Sequence, residues 1–202
     1  MSQVHFDDLI VRLPAPPKRG RYAADGMEDH LYEGAVILAY AMHLMRTEGC
    51  SVVDIHPDGE HGKQFDFSAW LQRRGFTKES SSGRTSYGGT YRDAEGRTIL
   101  IEPTSGLGDV VAAVGGQTLI AECKGGLIAT QHPGQVSRLR KGLCEAVGLL
   151  MARPSPGRQV AVVPYAPVTC EWAARLAPRC AGAGIELALL NRHGEVIHVG
   201  AP

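Results

Sequence analysis

Residues 98–124 read TILIEPTSGLGDVVAAVGGQTLIAECK, and the fold turns on how this stretch is read. Two apolar runs, Asp109 to Val114 and Thr118 to Cys123, flank Gly115 and Gly116. Both glycines tolerate positive φ, as a two-residue hairpin turn requires. The reading is strand, turn, strand. On the second strand Glu122 and Lys124 are two positions apart, and because side chains alternate across a pleated strand they point to one face. Asp109 opens the first strand, and the turn folds that strand back so that its first residues lie across from the far end of the second. Asp109, Glu122 and Lys124 are thereby expected at one end of the hairpin.

The chemistry that suits such a cluster is metal-assisted hydrolysis of a phosphodiester. Two carboxylates and the backbone carbonyl of Cys123 are hard oxygen ligands of the kind magnesium prefers, with manganese as a substitute. The ion polarises a phosphoryl oxygen and lowers the pKa of a water that attacks in line. Lys124 suits orienting that water, helping to deprotonate it, or offsetting phosphate charge. The competing reading of the same residues is a solvated strand face with a cross-strand ion pair.

Gly108-Asp109 and, thirteen positions after that aspartate, Glu122-Cys123-Lys124 resemble the D...ExK signature of the PD-(D/E)xK nucleases. Ile101-Glu102-Pro103-Thr104-Ser105-Gly106 resembles the strand and loop before the aspartate in archaeal Holliday-junction resolvases and Mrr-type enzymes. The likeness is specific over roughly 98–135 and architectural elsewhere, and the proline that usually precedes the aspartate is Gly108 here. The resemblance implies an α/β protein with a restriction-endonuclease-like central mixed β-sheet flanked by helices. It implies a magnesium-dependent endonuclease acting on DNA, with Asp109, Glu122 and Lys124 catalytic and with Asp109, Glu122 and the Cys123 carbonyl on the metal. By the same resemblance Glu33, on the first helix, completes the metal site. Gln131, preferred over Gln135, supplies a glutamine that contacts water or phosphate. A homodimer whose two sites cut two strands, and a partner protein of a defence or repair system, are further expectations of this kind. The alternative is a non-catalytic nucleic-acid-binding or protein-interaction module on the same scaffold.

Composition sets bounds on these readings. A chain of 202 residues fits one domain with a sizeable core, and its 44% hydrophobic and 21% charged residues are ordinary for a globular protein. With 21 basic and 21 acidic residues, any attraction to nucleic acid must come from a local patch. The five cysteines are odd in number and form no CxxC pair, which argues against a disulfide framework, a zinc ribbon or a cysteine-ligated iron–sulfur cluster. Asp7 and Asp8 near the start, with no long apolar run, predict no signal peptide and no membrane span, and so a cytoplasmic protein. Gly106-Leu107-Gly108 lacks the third glycine of a dinucleotide fingerprint and precedes a strand, and there is no P-loop.

Along the chain, residues 1–26, with Pro14, Pro16, Pro17, Lys18, Arg19 and Arg21, read as an extended arm, and 27–202 as a single domain. A helix is predicted from Met27 to about Thr47, from Leu31, Ala35, Leu38, Met42 and Met45, with Glu28 and Asp29 at its positive end. Ser51 to His56 reads as a strand. About 56–96 is an inserted helix-hairpin region. Its His56, Asp58, Glu60 and His61 can be drawn as a metal cluster, but their spacing matches no ligand pattern and Pro57 and Gly59 mark a loop. Phe65 to Arg74 is predicted helical with Phe67, Trp70 and Leu71 inward, and Asp66 or Gln64 competes with Glu33 for the site. The Ser/Gly/Tyr-rich hairpin at 80–91 reads either as a surface loop or as a cover for nucleic acid, with Arg84 and Arg92 on phosphates and Tyr87 or Tyr91 stacked on a base.

After Lys124 a helix is predicted from Pro133, buried along Val136, Leu139, Leu143, Val147 and Leu150. Arg138, Arg140 and Lys141 on its exposed side suit a phosphate backbone and equally a solvated face. A loop at 153–157, a strand at 159–165, a helix at 169–181, a strand at 185–190 and an edge strand ending at Val199 complete the chain. That alternation predicts a sheet that is parallel in this half.

Overall fold

The computed structural model describes residues 7–14, 27–104, 106–153 and 157–200. The hairpin forms as the glycines require. Val110–Val114 and Gln117–Cys123 pair antiparallel with Val110 opposite Ala121, and Gly115 and Gly116 take φ of 54° and 80°. In chain order the strands are β1 (Ile10–Pro14), β2 (Met27–Leu31), β3 (Val52–Ile55), β4 (Thr77–Ser81), β5 (Gly89–Arg92), β6 (Thr98–Ile101), β7 (Val110–Val114), β8 (Gln117–Cys123), β9 (Gly126–Leu127), β10 (Arg158–Pro164), β11 (Ile185–Leu190) and β12 (Val196–Val199). The helices are α1 (Glu33–Thr47), α2 (His61–Gln64), α3 (Phe67–Gln72), α4 (Pro133–Ala152) and α5 (Pro167–Gly182).

Nine strands make one mixed sheet in the order β12-β11-β10-β8-β7-β3-β6-β5-β4, with β8, β10 and β11 mutually parallel. The parallel half is the one in which helices alternate with strands, since each crossover carries a helix back over the sheet. Strand alternation divides β8 between two cores. Leu119, Ala121 and Cys123 pack with α1, while Ile120 joins Leu143, Ala146 and Leu150 of α4 and Ala173 of α5. Because α1 is covered on every side, Gly34 through Met42 are all buried, and its sequence is apolar nearly all round rather than along one stripe. No helix among the described residues is long and apolar enough to cross a membrane.

The helix predicted from Met27 begins instead at Glu33, and residues 27–31 form β2, between β1 and β9 in a three-stranded sheet. Tertiary pairing overrides the helical periodicity here. Glu28 accepts a hydrogen bond from the Thr130 hydroxyl at 2.8 Å, and Asp29 meets Arg12 at 3.3 Å. Of the arm expected over 1–26, residues 1–6 and 15–26 lie outside the described residues, while Asp7–Leu9 is a short 3-10 turn leading into β1. Pro154, Ser155 and Pro156, and Ser105 of the loop before the aspartate, also lie outside them.

Tyr87 and Tyr91 are not available to stack on a base. Tyr91 is fully buried and donates to the Tyr87 carbonyl, and Tyr87 stacks on Phe67 at 5.1 Å. The two rings close the gap between the β4–β5 hairpin and α3, which burial of so much aromatic area favours over exposure.

Candidate functional site

Asp109 stands just before β7, Glu122 one residue before the end of β8, and Lys124 one residue beyond it. With Glu33 of α1, they line one cavity of about 380 Å³, shared with His56, Asp58, His61, Leu149 and Arg153. The hairpin places the first three. Asp109 N–H donates to the Ala121 carbonyl at 2.9 Å, and Cys123 N–H donates to Asp109 Oδ2 at 2.7 Å. The side chain of Asp109 thus continues the strand pairing one step beyond the backbone. Backbone carbonyls two residues apart on a strand face the same edge, so that of Cys123 follows Ala121's toward the β7 side, where β7 has already ended.

Glu122 is 2% exposed and its Oε1 takes a short, direct hydrogen bond from Arg153 Nη1, which also donates to the Leu107 carbonyl. Lys124 rests its stem against α4, where a Cβ on Gly142 would come within 3.3 Å of it. Its ammonium lies 3.1 Å from Glu33 Oε1 and 3.4 Å from Glu145 Oε1. His61 Nε2 is 3.4 Å from the same Glu33 oxygen.

These contacts set the protonation states. Burial, and then the negative charge of Glu122, push Asp109 up to about 7. Glu122 is also raised by burial, in spite of Arg153. Glu33 goes the other way: burial alone would raise it, but the hydrogen bond from His61 and the charge of Lys124 hold it below the usual carboxylate range. Burial alone would lower Lys124, yet Glu33 and Asp109 hold it above the ordinary lysine range. With these carboxylates around it, Lys124 is an ammonium at neutral pH.

The donor set fits a small hard cation. Asp109 Oδ1 has no hydrogen-bond partner among the described residues, and the charge of Glu122 raises the cost of ionising Asp109, which a divalent ion would relieve. Among the described residues no three or more His, Cys, Asp and Glu side chains are placed to hold a metal by themselves. The set on offer is two carboxylates and a carbonyl, with the remaining positions left to water, as magnesium tolerates.

The other residues named from the sequence fall in different places. Gln131 is exposed and lines a separate cavity with Val136 and Glu171, away from the acids, because it precedes α4 on the loop rather than standing on the helix. Gln135, on the first turn of α4, lines a cavity that includes Glu33 and Arg138. Asp66 caps α3 by accepting from Ala69 N–H at 2.9 Å. Arg140 lies over the Trp172 ring at 5.2 Å, Lys141 is exposed, and Arg92, on β5 with β3 and β6 between it and β7, is held by Glu79 at 3.0 Å. Arg84 sits on an exposed turn next to Gly83, whose Cβ would lie 3.5 Å from Pro103 at the cavity wall. Sequence reasoning missed Arg153, which ends α4 and was read only as loop, and it set aside His56, Asp58 and His61. The signal available for Arg153 was its position at the end of a helix packed on the strand that carries Glu122.

No family model matches this chain, and no curated protein or solved structure is significantly similar to it.

Proposed function

We propose that this protein is a metal-dependent deoxyribonuclease built on a restriction-endonuclease-like core of the PD-(D/E)xK kind. The observation that carries this reading is the convergence of Asp109, Glu122, Lys124 and Glu33 on one cavity, with Asp109 tied to the strand that bears the other two. Magnesium, or manganese in its place, would be held by Asp109, Glu122 and the Cys123 carbonyl, and supplies Lewis-acid polarisation of the phosphodiester and activation of water. Lys124, charged and held by Glu33, donates hydrogen bonds to a phosphate oxygen or orients the attacking water. Arg153 offsets the charge of Glu122 and lines the same cavity.

The test is incubation of the purified protein with linear, circular, single-stranded and four-way-junction DNA in magnesium or manganese, beside a Lys124→Ala control. Metal-dependent cleavage by the wild type and not by the variant supports the reading, and equal cutting by both removes it.

A second reading, a nucleic-acid-binding module without cleavage, is favoured by one observation: Glu122 and Glu33 already have cationic partners in Arg153 and Lys124. Calorimetric titration separates the two, because a module of that kind binds neither magnesium nor manganese above background.

A further inference from the structure

Next to the cavity of the acids lies a larger one, of about 540 Å³, and Glu33 and His61 line both. Its walls differ in kind from those of its neighbour. Leu13, Leu127 and Leu139 make it apolar, while His30 and Tyr32 bring two rings with centroids 4.3 Å apart. Burial holds His30 below the ordinary histidine range, so this ring is neutral at pH 7, and its Nδ1 is buried without a hydrogen-bond partner. The side-chain amides of Gln64 and Gln135 project from opposite elements, α2 and α4, and neither has a partner among the described residues. Arg138, one turn along α4 from Gln135, is exposed and has no carboxylate partner among them. Glu60, also on the wall, is already neutralised by Lys63 at 2.6 Å.

Apolar and aromatic walls, amides with both donor and acceptor, and a free guanidinium are the groups that recognise a nucleobase and its phosphate. The volume suits one small ligand, since such sites run about 300–1,000 Å³, whereas a stacked duplex end is too large to enter. We propose that this cavity binds the unpaired nucleotide adjoining the scissile phosphate, with its base against Tyr32 and His30, its polar edge on Gln64 and Gln135, and its phosphate on Arg138. The substrate is then single-stranded DNA or an unpaired end. Withdrawing a base from an intact duplex costs a few kcal/mol, and a single strand avoids that cost. This inference takes its orientation from the nuclease reading, but base binding can be measured without cleavage.

The experiment is fluorescence anisotropy in EDTA with a labelled single-stranded DNA 12-mer and the blunt duplex of the same sequence. The proteins are the wild type and the Gln64→Ala/Gln135→Ala double variant, whose melting temperature is checked against the wild type. The wild type is expected to bind the single strand at least about tenfold more tightly than the duplex, and the double variant to lose about tenfold for the single strand alone, the size of one or two lost hydrogen bonds to the base edge. Equal affinity of the wild type for both forms, or an unchanged single-strand affinity in a folded double variant, overturns the proposal. Cleavage of duplex DNA by a wild type that shows no single-strand preference refutes the base site and leaves the nuclease reading standing. Single-strand preference lost in the double variant, without any metal-dependent cleavage, supports the base site and refutes the nuclease.

Discussion

Lys124 Nζ and Glu33 Oε1 meet at 3.1 Å across 91 positions of sequence, joining the end of β8 to the first residue of α1. The pair fixes the ammonium beside Asp109 and keeps it charged. Lys124→Ala is therefore expected to slow metal-dependent cleavage by about 100-fold or more, the usual cost of one lost charge-stabilising donor. Glu33→Gln keeps a hydrogen-bond acceptor and should lose less. Single-turnover rates on a labelled DNA substrate check both, and circular dichroism of each variant should match the wild type.

The proton held by Asp109 makes stability depend on pH. Its folded-state pKa, about 7, lies above the ordinary 3.8. Between those values the folded protein holds a proton that the unfolded chain has released, so the contribution is fully present below about pH 4 and is lost as pH rises through 7. Asp109→Asn keeps an acceptor for Cys123 N–H and removes this dependence. In EDTA the variant should match the wild type near pH 4 and exceed it by about 1–2 kcal/mol at pH 8, after allowance for water in the cavity. Urea titrations at the two pH values measure this, and a wild type equal to the variant at pH 8 would show that Asp109 ionises there without cost. Manganese at pH 8 should narrow the gap, since it binds the ionised wild-type site.

What the sequence made legible follows the range of the interactions involved. The hairpin, with its glycines at positive φ, and the placement of Asp109 opposite the end of β8 depend on local pairing and alternation, and could be read from residues 98–124 alone. So could α4, from Pro133 and its stripe, and the parallel half of the sheet. The start of α1 could not be read, because β2 exists only through its partners β1 and β9, which lie elsewhere in the chain. Arg153 escaped for the same reason: its meaning is Glu122, 31 positions away. Tyr87 and Tyr91 look like exposed stacking residues in a Ser/Gly-rich segment, and only the docking of that hairpin on α3 shows them buried.

Gly108, the residue before Asp109, has a steric reason to be glycine. A Cβ on Gly108 would come within 2.6 Å of the Ile120 side chain and 2.9 Å of the Ala121 carbonyl, the group that receives Asp109 N–H. Gly108→Ala must push β7 from β8 at the point where Asp109 is set. A loss of about 1–3 kcal/mol is expected, with cleavage falling further than stability. Thermal unfolding beside cleavage rate tests this, and a variant as stable as the wild type would mean that the strand ends can part without cost.

Arg153 and the proposed metal compete for the same carboxylate. With Glu122 2% exposed, removing its cation leaves a buried charge uncompensated, a loss of about 3–5 kcal/mol for a fully buried pair and less here, where Arg153 reaches solvent. Arg153→Ala should therefore melt well below the wild type in EDTA. A divalent ion on Glu122 restores the missing charge, so manganese should raise the variant's melting temperature by more than it raises the wild type's, and calorimetry should show the variant binding manganese more tightly. If manganese shifts both proteins equally, Glu122 is not a ligand, and its pairing with Arg153 is a structural ion pair of the fold.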